Sequence, residues 1–250
     1  MKLATWNVNG IRARHAQVLE WIQLEQPDVV GLQEIKATCD QVPVGICELD
    51  GYWCYWHGGA RGYSGVALHV RKDFSPRRPQ FFHPDFDFEN RMVVAQTDDI
   101  TIASIYVPNG GKDLAAKIRF LAALDRYAES FQQEGRPLIL CGDLNVARSE
   151  IDVHPKERNP RLPGQMPEER ALFERILGRG LLDVGRALDP ANEGLFTWWA
   201  PWRNMRARNI GWRLDYILAS ETIGSNALSC LVQSNTGTSD HAPVMTSFRA

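Results

Sequence analysis

The sequence is poor in cysteine and contains no long hydrophobic run. Its five cysteines are odd in number and never form a Cys-x-x-Cys pair, which argues against a disulfide framework and against a sulfur-ligated zinc site. No stretch approaches the roughly 18 uncharged apolar residues of a membrane span. The first residues reach Asn7 and Asn9 too soon for the apolar core of a signal peptide. We therefore expect reduced thiols, no membrane partner and a cytoplasmic protein.

The sequence also lacks an excess of either charge. Lys and Arg number 28 against 30 Asp and Glu, which gives a formal net charge of −2, so any attraction to nucleic acid must come from a local patch. Hydrophobic residues make up 44% of the 250 residues, which is enough to bury a core and excludes intrinsic disorder. The length and the absence of a composition break predict a single domain over residues 1–250.

Hydrophobic periodicity predicts many short strands and a few helices. Apolar residues recur at helical spacing over 15–26, 113–134 and 168–177. Apolar or β-branched runs predict strands at 3–6, 29–32, 65–70, 92–96, 100–107, 138–141, 214–218, 227–232 and 244–248. This mixture predicts an α+β fold, a four-layer αββα sandwich in which two packed, mainly antiparallel sheets are flanked by helices.

Polar residues follow the apolar strands repeatedly along the chain. They include Asn7, Glu34, Tyr106, Asn109, Asp143, Asn145, Asp215, Asp240 and His241. Each one alone fits a structural role, since Asp-x-Asn is common in turns and Ser-Asp often caps a chain segment. Their recurrence after separate strands favours a shared site instead. Hard oxygen ligands at one edge of the sandwich suit Mg²⁺ or Mn²⁺ better than zinc, and the chemistry they favour is phosphoryl hydrolysis.

Six short motifs occur in order between residues 3 and 248. They are Trp6-Asn7-Val8-Asn9-Gly10, Leu32-Gln33-Glu34, Tyr106-Val107-Pro108-Asn109, Gly142-Asp143-Leu144-Asn145, Gly211-Trp212-Arg213-Leu214-Asp215-Tyr216 and Ser239-Asp240-His241-Ala242-Pro243. Together they resemble the exodeoxyribonuclease III and abasic-site endonuclease family. The second, fourth and sixth motifs belong to the broader endonuclease, exonuclease and phosphatase superfamily and do not fix the substrate. The third and fifth are much more specific to the DNA repair branch.

The resemblance implies a metal-dependent phosphodiesterase with assigned residues. The implied metal ligands, for one or two Mg²⁺ or Mn²⁺ ions, are Asn7, Glu34, Asp143, Asn145 and Asp240. The implied catalytic residues are Tyr106, Asp143, Asn145, Asp215 and His241. Asp143 is expected to deprotonate the attacking water, which Asn145 positions. His241, kept protonated by Asp215, and Tyr106 are expected to donate hydrogen bonds to the scissile phosphate. Asn9 stands where some relatives carry Asp, so the number of ions stays open.

The expected DNA contacts centre on the segment 202–208, in which cations alternate with Trp and Asn and which Arg213 follows closely. Such a segment suits phosphate and base contacts, although a solvated charged loop is the structural alternative. The resemblance implies an apolar pocket for a flipped abasic deoxyribose and grips on the DNA backbone. The implied DNA-binding residues are Arg12, Asn109, Lys112, Trp198, Trp202, Arg206, Trp212 and Leu214. The resemblance implies that Trp198, Trp212 and Leu214 wall the pocket, and it places Trp202 where some relatives carry an apolar wedge.

The resulting hypothesis is a monomeric DNA repair enzyme. It is expected to incise double-stranded DNA on the 5′ side of abasic sites, leaving a 3′-OH, and to act on blocked 3′ ends through 3′→5′ exonuclease and 3′-phosphatase activities. Two other functions stay open: a lipid phosphatase or sphingomyelinase of the same superfamily, and a catalytically silent nucleic-acid-binding module. The Trp- and Arg-rich segment argues against the former, and the intact acidic set argues against the latter.

Several polar residues are left outside the predicted site. Asp152, with Glu150, matches the family pattern but fits a scaffolding role equally well. His57, His69, His83 and His154 have no ligand-like spacing and are predicted to be ordinary surface or strand histidines.

Overall fold

Two six-stranded β-sheets lie at the centre of the protein in a computed structural model that describes residues 1–59 and 62–249. The first sheet contains β1 (Lys2–Asn7), β2 (Val29–Gln33), β3 (Tyr52–His57), β4 (Val66–Arg71), β11 (Ala227–Val232) and β12 (Val244–Phe248). The second contains β5 (Gln80–Phe82), β6 (Met92–Gln96), β7 (Thr101–Tyr106), β8 (Leu138–Asp143), β9 (Leu181–Asp183) and β10 (Asp215–Ser220). The strand orders are β11-β12-β1-β2-β4-β3 and β5-β6-β7-β8-β10-β9.

Most neighbouring strands run antiparallel. The parallel pairs among the named strands are β1 with β2 and β7 with β8. Each is connected through a long helix, as parallel pairing requires. The inner faces of the two sheets pack against each other through a fully buried aliphatic layer that includes Val29, Leu68, Ile102, Ile139 and Ile217. The predicted pair of mainly antiparallel sheets is therefore confirmed.

Helices cover the outer faces of both sheets. The helices are α1 (His15–Glu25), α2 (Val44–Cys47), α3 (Leu114–Glu134), α4 (Pro167–Leu177), α5 (Val184–Leu188) and α6 (Glu221–Gly224). Helix α1 packs on the first sheet, and α3 and α4 pack on the second, which gives the predicted αββα order. Asp113 begins α3 by accepting a hydrogen bond from the amide of Ala116, and Gly135 ends it in a left-handed conformation. No helix of the described segments could cross a membrane.

The long periodic elements agree with the sequence prediction, whereas several short ones were missed. β5 and β9 are edge strands of three residues each, too short for an alternating pattern to be recognised. β3 is an aromatic-rich edge strand whose side chains are mostly half-buried, so it lacks a clear apolar and polar alternation. The helices α2, α5 and α6 have four or five residues, which is about one turn.

A buried histidine without a hydrogen-bond partner makes stability depend on pH. His69 on β4 is fully buried, neither ring nitrogen has a partner among the described residues, and burial lowers its pKa to about 4. Between pH 6.5 and 4 the unfolded chain binds a proton that native His69 does not. We therefore expect the free energy of unfolding to decrease as the pH is lowered through this window. At pH 4 the loss from this group alone is about 3 kcal/mol relative to neutral pH.

Urea unfolding of the wild type and of His69→Leu at pH 7 and pH 4.5 measures this contribution. The variant is expected to lose part of the pH dependence, while His15→Leu, at a partly exposed position, serves as the control that keeps it. The same pH dependence in all three proteins would contradict the prediction.

Candidate active site

Three of the predicted catalytic residues lie side by side at one end of the second sheet. The parallel pairing of β7 with β8 sets Tyr106 opposite Asp143, and the antiparallel pairing of β8 with β10 sets Asp215 opposite Asp143. Directly paired residues in a sheet have neighbouring side chains. The strand register alone therefore brings these three groups together.

The first sheet contributes Asn7 and Glu34 to the same place. Asn7 ends β1 opposite Gln33 of β2, and Glu34 follows. The Asn7 side-chain amide donates to Glu34 Oε2 at 3.0 Å and to Asp143 Oδ2 at 2.9 Å, so it links the two sheets. Glu34 has a φ of 54°, a conformation uncommon outside glycine and often found at functional sites. Lys36, which the sequence did not single out, pairs with Glu34 Oε1 at 2.7 Å.

Asn145 lies against Asp143, as the Asp-x-Asn spacing predicts. Its backbone amide donates to Asp143 Oδ1 at 2.9 Å and its side-chain amide to Oδ2 at 3.1 Å. The side chain of Asn109 in turn donates to Asn145 Oδ1 at 3.3 Å. Both oxygens of Asp143 are thus oriented by fixed donors in a buried environment.

His241 forms a buried pair with Asp215. Its Nδ1 lies 2.8 Å from Asp215 Oδ2, and its Nε2 lies 3.8 Å from Asp143 Oδ2. Burial would lower the pKa of His241, but the carboxylates of Asp215 and Asp143 outweigh burial and raise that pKa to about 10. The ring therefore stays protonated at neutral pH and can donate from Nε2. Burial raises the pKa of Asp143, the His241 charge lowers it and Asp215 raises it further, so this carboxylate has the increased basicity that a general base uses.

Asp240 joins the network through Asn9 and Trp198. The Asn9 side chain donates to Asp240 Oδ1 at 2.8 Å, and the Trp198 indole donates to Oδ2 at 2.9 Å. Burial raises the pKa of Asp240, but His241 and these two donors outweigh it and lower the pKa overall. Asp240 is therefore ionised at neutral pH.

The Tyr106 hydroxyl is kept in its protonated, donating form. Burial, followed by the carboxylates of Glu34 and Asp143, raises its pKa. The Arg91 guanidinium lies 4.9 Å from the Tyr106 ring centre and 5.3 Å from that of Tyr63, and cation–π contacts of this kind stabilise ring position. Arg91 is a site neighbour that the sequence reasoning missed.

The donor chemistry of this cluster fits a hard divalent cation. Carboxylate and amide oxygens predominate, and Asp215 Oδ1 is buried without a hydrogen-bond partner in the described structure. The ligand atoms of Asp143, Asp215 and His241 all lie within 4.8 Å of one another. Of the three carboxylates predicted as metal ligands, Asp143 lies in this compact group, whereas Glu34 and Asp240 lie outside it. Asn7 connects Glu34 to Asp143, and Asn9 connects Asp240 to Asn7. The site can therefore hold a metal ion, at or beside this compact group.

Two tryptophans lie beside His241, which the sequence predicts to be catalytic. The rings of Trp198 and Trp212 meet edge to face with centres 5.6 Å apart, and Leu214, 5% exposed, packs with both. Trp198 also forms a backbone bridge to His241. The three residues predicted as pocket walls are thus brought together, directly adjoining the catalytic cluster.

Comparison with known proteins identifies the family to which this geometry belongs. The model of the Endonuclease/Exonuclease/phosphatase family matches residues 4–241. The chain belongs to this family. It is 34% identical to an exodeoxyribonuclease of Bacillus subtilis, with 98% of each chain covered. It is also 34% identical to Recombination repair protein 1 of Drosophila melanogaster over 99% of its own length, although it spans only 37% of that longer protein.

Solved structures of family members have the same fold. The 3′ phosphatase NExo from Neisseria, bound to a product DNA hairpin, has a TM-score of 0.90 at 28% identity, with all of both chains covered. An AP endonuclease from Archaeoglobus fulgidus has a TM-score of 0.85 at 27% identity, also over both whole chains. The resemblance inferred from the six motifs is confirmed.

Within this family member, the residues expected to contact DNA have different environments. Arg12, Lys112 and Trp202 are exposed, and Trp202 has 59% of its surface accessible. Arg206 already has partners within the protein. Its guanidinium donates hydrogen bonds to the backbone carbonyls of residues 234, 236 and 239 and lies 4.9 Å from the Trp199 ring centre. Its position indicates that it holds the loop preceding Asp240.

Arg213, which follows the segment expected to contact DNA, lies inside the protein and is not available to bind phosphate. Arg213 is 2% exposed, and its guanidinium donates to Asp152 at 2.7 Å and to both oxygens of Asp183 at 2.8 and 2.6 Å. A cation paired on two sides inside the protein cannot reach DNA. Asp152 was predicted to have either a scaffolding or a catalytic role. It accepts hydrogen bonds from both Arg213 and Arg186, which is a scaffolding role.

A buried ion pair contacts the backbone of two site residues, and it was not predicted from the sequence. Lys117 of α3 and Glu169 of α4 are both fully buried, with Nζ and Oε1 2.5 Å apart. Lys117 Nζ also donates to the carbonyl of Asn145 at 2.6 Å and to that of Asn109 at 3.2 Å. A lysine on the apolar face of α3, between Leu114 and Leu121, is the sequence signal that could have revealed it.

Proposed function

We propose that this protein is a divalent-metal-dependent enzyme that cuts double-stranded DNA on the 5′ side of an abasic site. DNA repair nuclease function itself is what its exodeoxyribonuclease and AP endonuclease relatives support. The observation that carries the finer proposal is the contact of Trp198 with both Trp212 and His241. This contact places an apolar wall, which suits a sugar without a base, beside the groups proposed to act on the phosphate. A nucleotide that has lost its base also leaves the helix at a low unstacking cost.

The proposed chemistry uses the oriented groups of the cluster. Asp143 accepts the proton of the attacking water, which Asn145 helps to position. The protonated His241 ring and the Tyr106 hydroxyl donate hydrogen bonds to the scissile phosphate and stabilise its added charge. Glu34, Asp240 and Asn7 are the residues that would hold Mg²⁺ or Mn²⁺, which supplies positive charge to the phosphate and the leaving oxygen.

We also propose that the same groups act at 3′ termini. Removal of a 3′-phosphate or of a terminal nucleotide breaks the same P–O3′ bond as incision that leaves a 3′-OH, and the Neisseria 3′ phosphatase has this fold. The protein is proposed to work as a single-domain cytoplasmic monomer. Sedimentation equilibrium with and without duplex DNA tests the monomer.

A gel assay tests the function directly. End-labelled duplexes carrying a reduced abasic analogue, a 3′-phosphate or no lesion are incubated with Mg²⁺, Mn²⁺ or EDTA. We expect a single cut 5′ of the analogue that leaves a 3′-OH and is abolished by EDTA. Cleavage of no duplex with either metal would overturn the assignment, and phosphorylated lipids would then be the substrates to test.

Trp212→Ala separates the pocket from the chemistry. We expect kcat/KM for abasic incision to fall by about 10- to 100-fold, because the lost apolar contact between the indole ring and the base-free sugar is worth roughly 1–3 kcal/mol. Removal of a 3′-phosphate by the same variant is the internal control and should fall much less. Equal losses on the two substrates would contradict a pocket role.

A further inference from the structure

A second cluster of metal-ligating side chains lies at the edge of the sandwich. His57 ends β3, His83 follows β5, and Asp87 lies in the connection to β6. Their ligand atoms all lie within 4.8 Å of one another. Because β3 and β5 are edge strands of different sheets, the cluster joins the two sheets at their margin. The sequence prediction that His57 and His83 are ordinary histidines missed this grouping.

One ligand of this cluster is held firmly in place. The Asp87 side chain is fully buried and accepts hydrogen bonds from the backbone amides of Arg91 at 2.9 Å and Met92 at 3.2 Å. His57 Nε2 is hydrogen-bonded to Asp87 Oδ2 at 3.0 Å. An ion that replaces this hydrogen bond needs to separate the two atoms only slightly, because ligands about 2 Å from a tetrahedral zinc ion lie about 3.3 Å apart. Carboxylates that bind metal ions are commonly oriented by hydrogen bonds of this kind from neighbouring groups.

The third ligand is adaptable. The rings of His57 and His83 have centres 4.3 Å apart and planes that differ by 12°. His83 is exposed, so its ring can turn toward an ion without repacking the core.

We propose that His57, His83 and Asp87 form a binding site for a divalent transition-metal ion of the Zn²⁺ class. Two imidazole nitrogens and one carboxylate oxygen are ligands that zinc accepts, and solvent beside the exposed His83 can supply a fourth. The nitrogen-rich set disfavours Mg²⁺, which prefers oxygen. The two clusters in the protein are thus chemically distinct, and this proposal does not depend on the proposed function.

Occupation of this edge site would also affect the residues over the active-site tyrosine. Asp87 holds the amide of Arg91, whose carbonyl accepts from the Tyr106 amide at 2.7 Å and whose guanidinium lies on the Tyr106 ring. An ion on Asp87 therefore stabilises the connection that carries Arg91. Ligands that bind only the folded state raise its stability.

Metal titration tests the proposal. The whole protein, freed of metal and kept in excess Mg²⁺, is titrated with Co²⁺ as a spectroscopic substitute for Zn²⁺, and Zn²⁺ is then added to displace it. We expect a visible absorption band from Co²⁺ with nitrogen ligands, and an increase in Tm with Zn²⁺. His57→Gln and His83→Gln should each weaken binding by at least about tenfold.

Two control variants distinguish this site from the catalytic cluster. Asp143→Asn should keep the Co²⁺ band, and so should His15→Gln, which removes a histidine outside both clusters. His83→Gln alters an exposed residue, so its circular dichroism should match the wild type. The proposal is overturned if His57→Gln and His83→Gln bind Co²⁺ as the wild type does, or if only Asp143→Asn loses the band.

Discussion

Asp143→Asn is expected to lower kcat for abasic-site incision by about 10³-fold while DNA affinity stays close to that of the wild type. Loss of a general base costs about 10²- to 10⁴-fold. The variant keeps the size of the side chain and one oxygen, which can accept from the side-chain amides of Asn7 and Asn145 that now donate to Asp143 Oδ2. The lost property is basicity, so the chemical step should slow and binding should persist.

Single-turnover cleavage and fluorescence-anisotropy binding measure these two quantities separately. Asp99→Asn, which changes an exposed acid in the β6–β7 turn, is the matched control and should cut normally. If Asp143→Asn turns over at the wild-type rate, Asp143 has no part in the mechanism.

Lys117→Met is expected to destabilise the fold by about 3–5 kcal/mol, because it leaves the carboxylate of Glu169 buried without its partner. Lys117 and Glu169 are both fully buried and 2.5 Å apart. Adding Glu169→Gln removes the unpaired charge and keeps one acceptor oxygen for the amides of Gly164 and Met166, both of which now donate to Glu169 Oε2. The double variant should therefore recover much of the lost stability.

Activity should respond differently from stability in this pair of variants. Lys117 Nζ holds the carbonyls of Asn145 and Asn109, and the double variant restores neither contact. We expect kcat to stay low in the double variant even where urea unfolding shows recovered stability. A double variant with wild-type kcat would show that Lys117 serves stability only.

The long elements and the catalytic set could be predicted because their signals lie in the local sequence. Helix α3 has a full apolar face, a capping Asp113 and a closing Gly135. The motifs around Glu34 and Asp143 mark the ends of β2 and β8, and the Asn7 side chain connects the two carboxylates. Asp240 instead lies in the connection between β11 and β12 and joins the site through Asn9 and Trp198.

The features that the sequence did not predict depend on tertiary contacts, which leave no signal in the local sequence. Arg206 and Arg213 occur near Trp residues in the sequence, but nothing there shows that one binds backbone carbonyls and the other a buried pair of aspartates. His57 and Asp87 are 30 positions apart in the chain, so their proximity follows only from the meeting of two edge strands.

The Asn7 side chain that crosses between the sheets limits how the two layers can move. Sliding one sheet along the other by a single strand residue, about 3.3 Å, would separate Asn7 from Asp143. The interlayer packing that prevents such sliding is tight, since a Cβ built at Gly31 would lie 3.0 Å from Ser104 Oγ and 3.2 Å from Cys141 Sγ. The proposed hydrolysis therefore requires the two layers to be in alignment. A loosened state of the chain would keep its surface cations but would lose the arrangement of Asn7, Glu34 and Asp143 on which the proposed reaction depends.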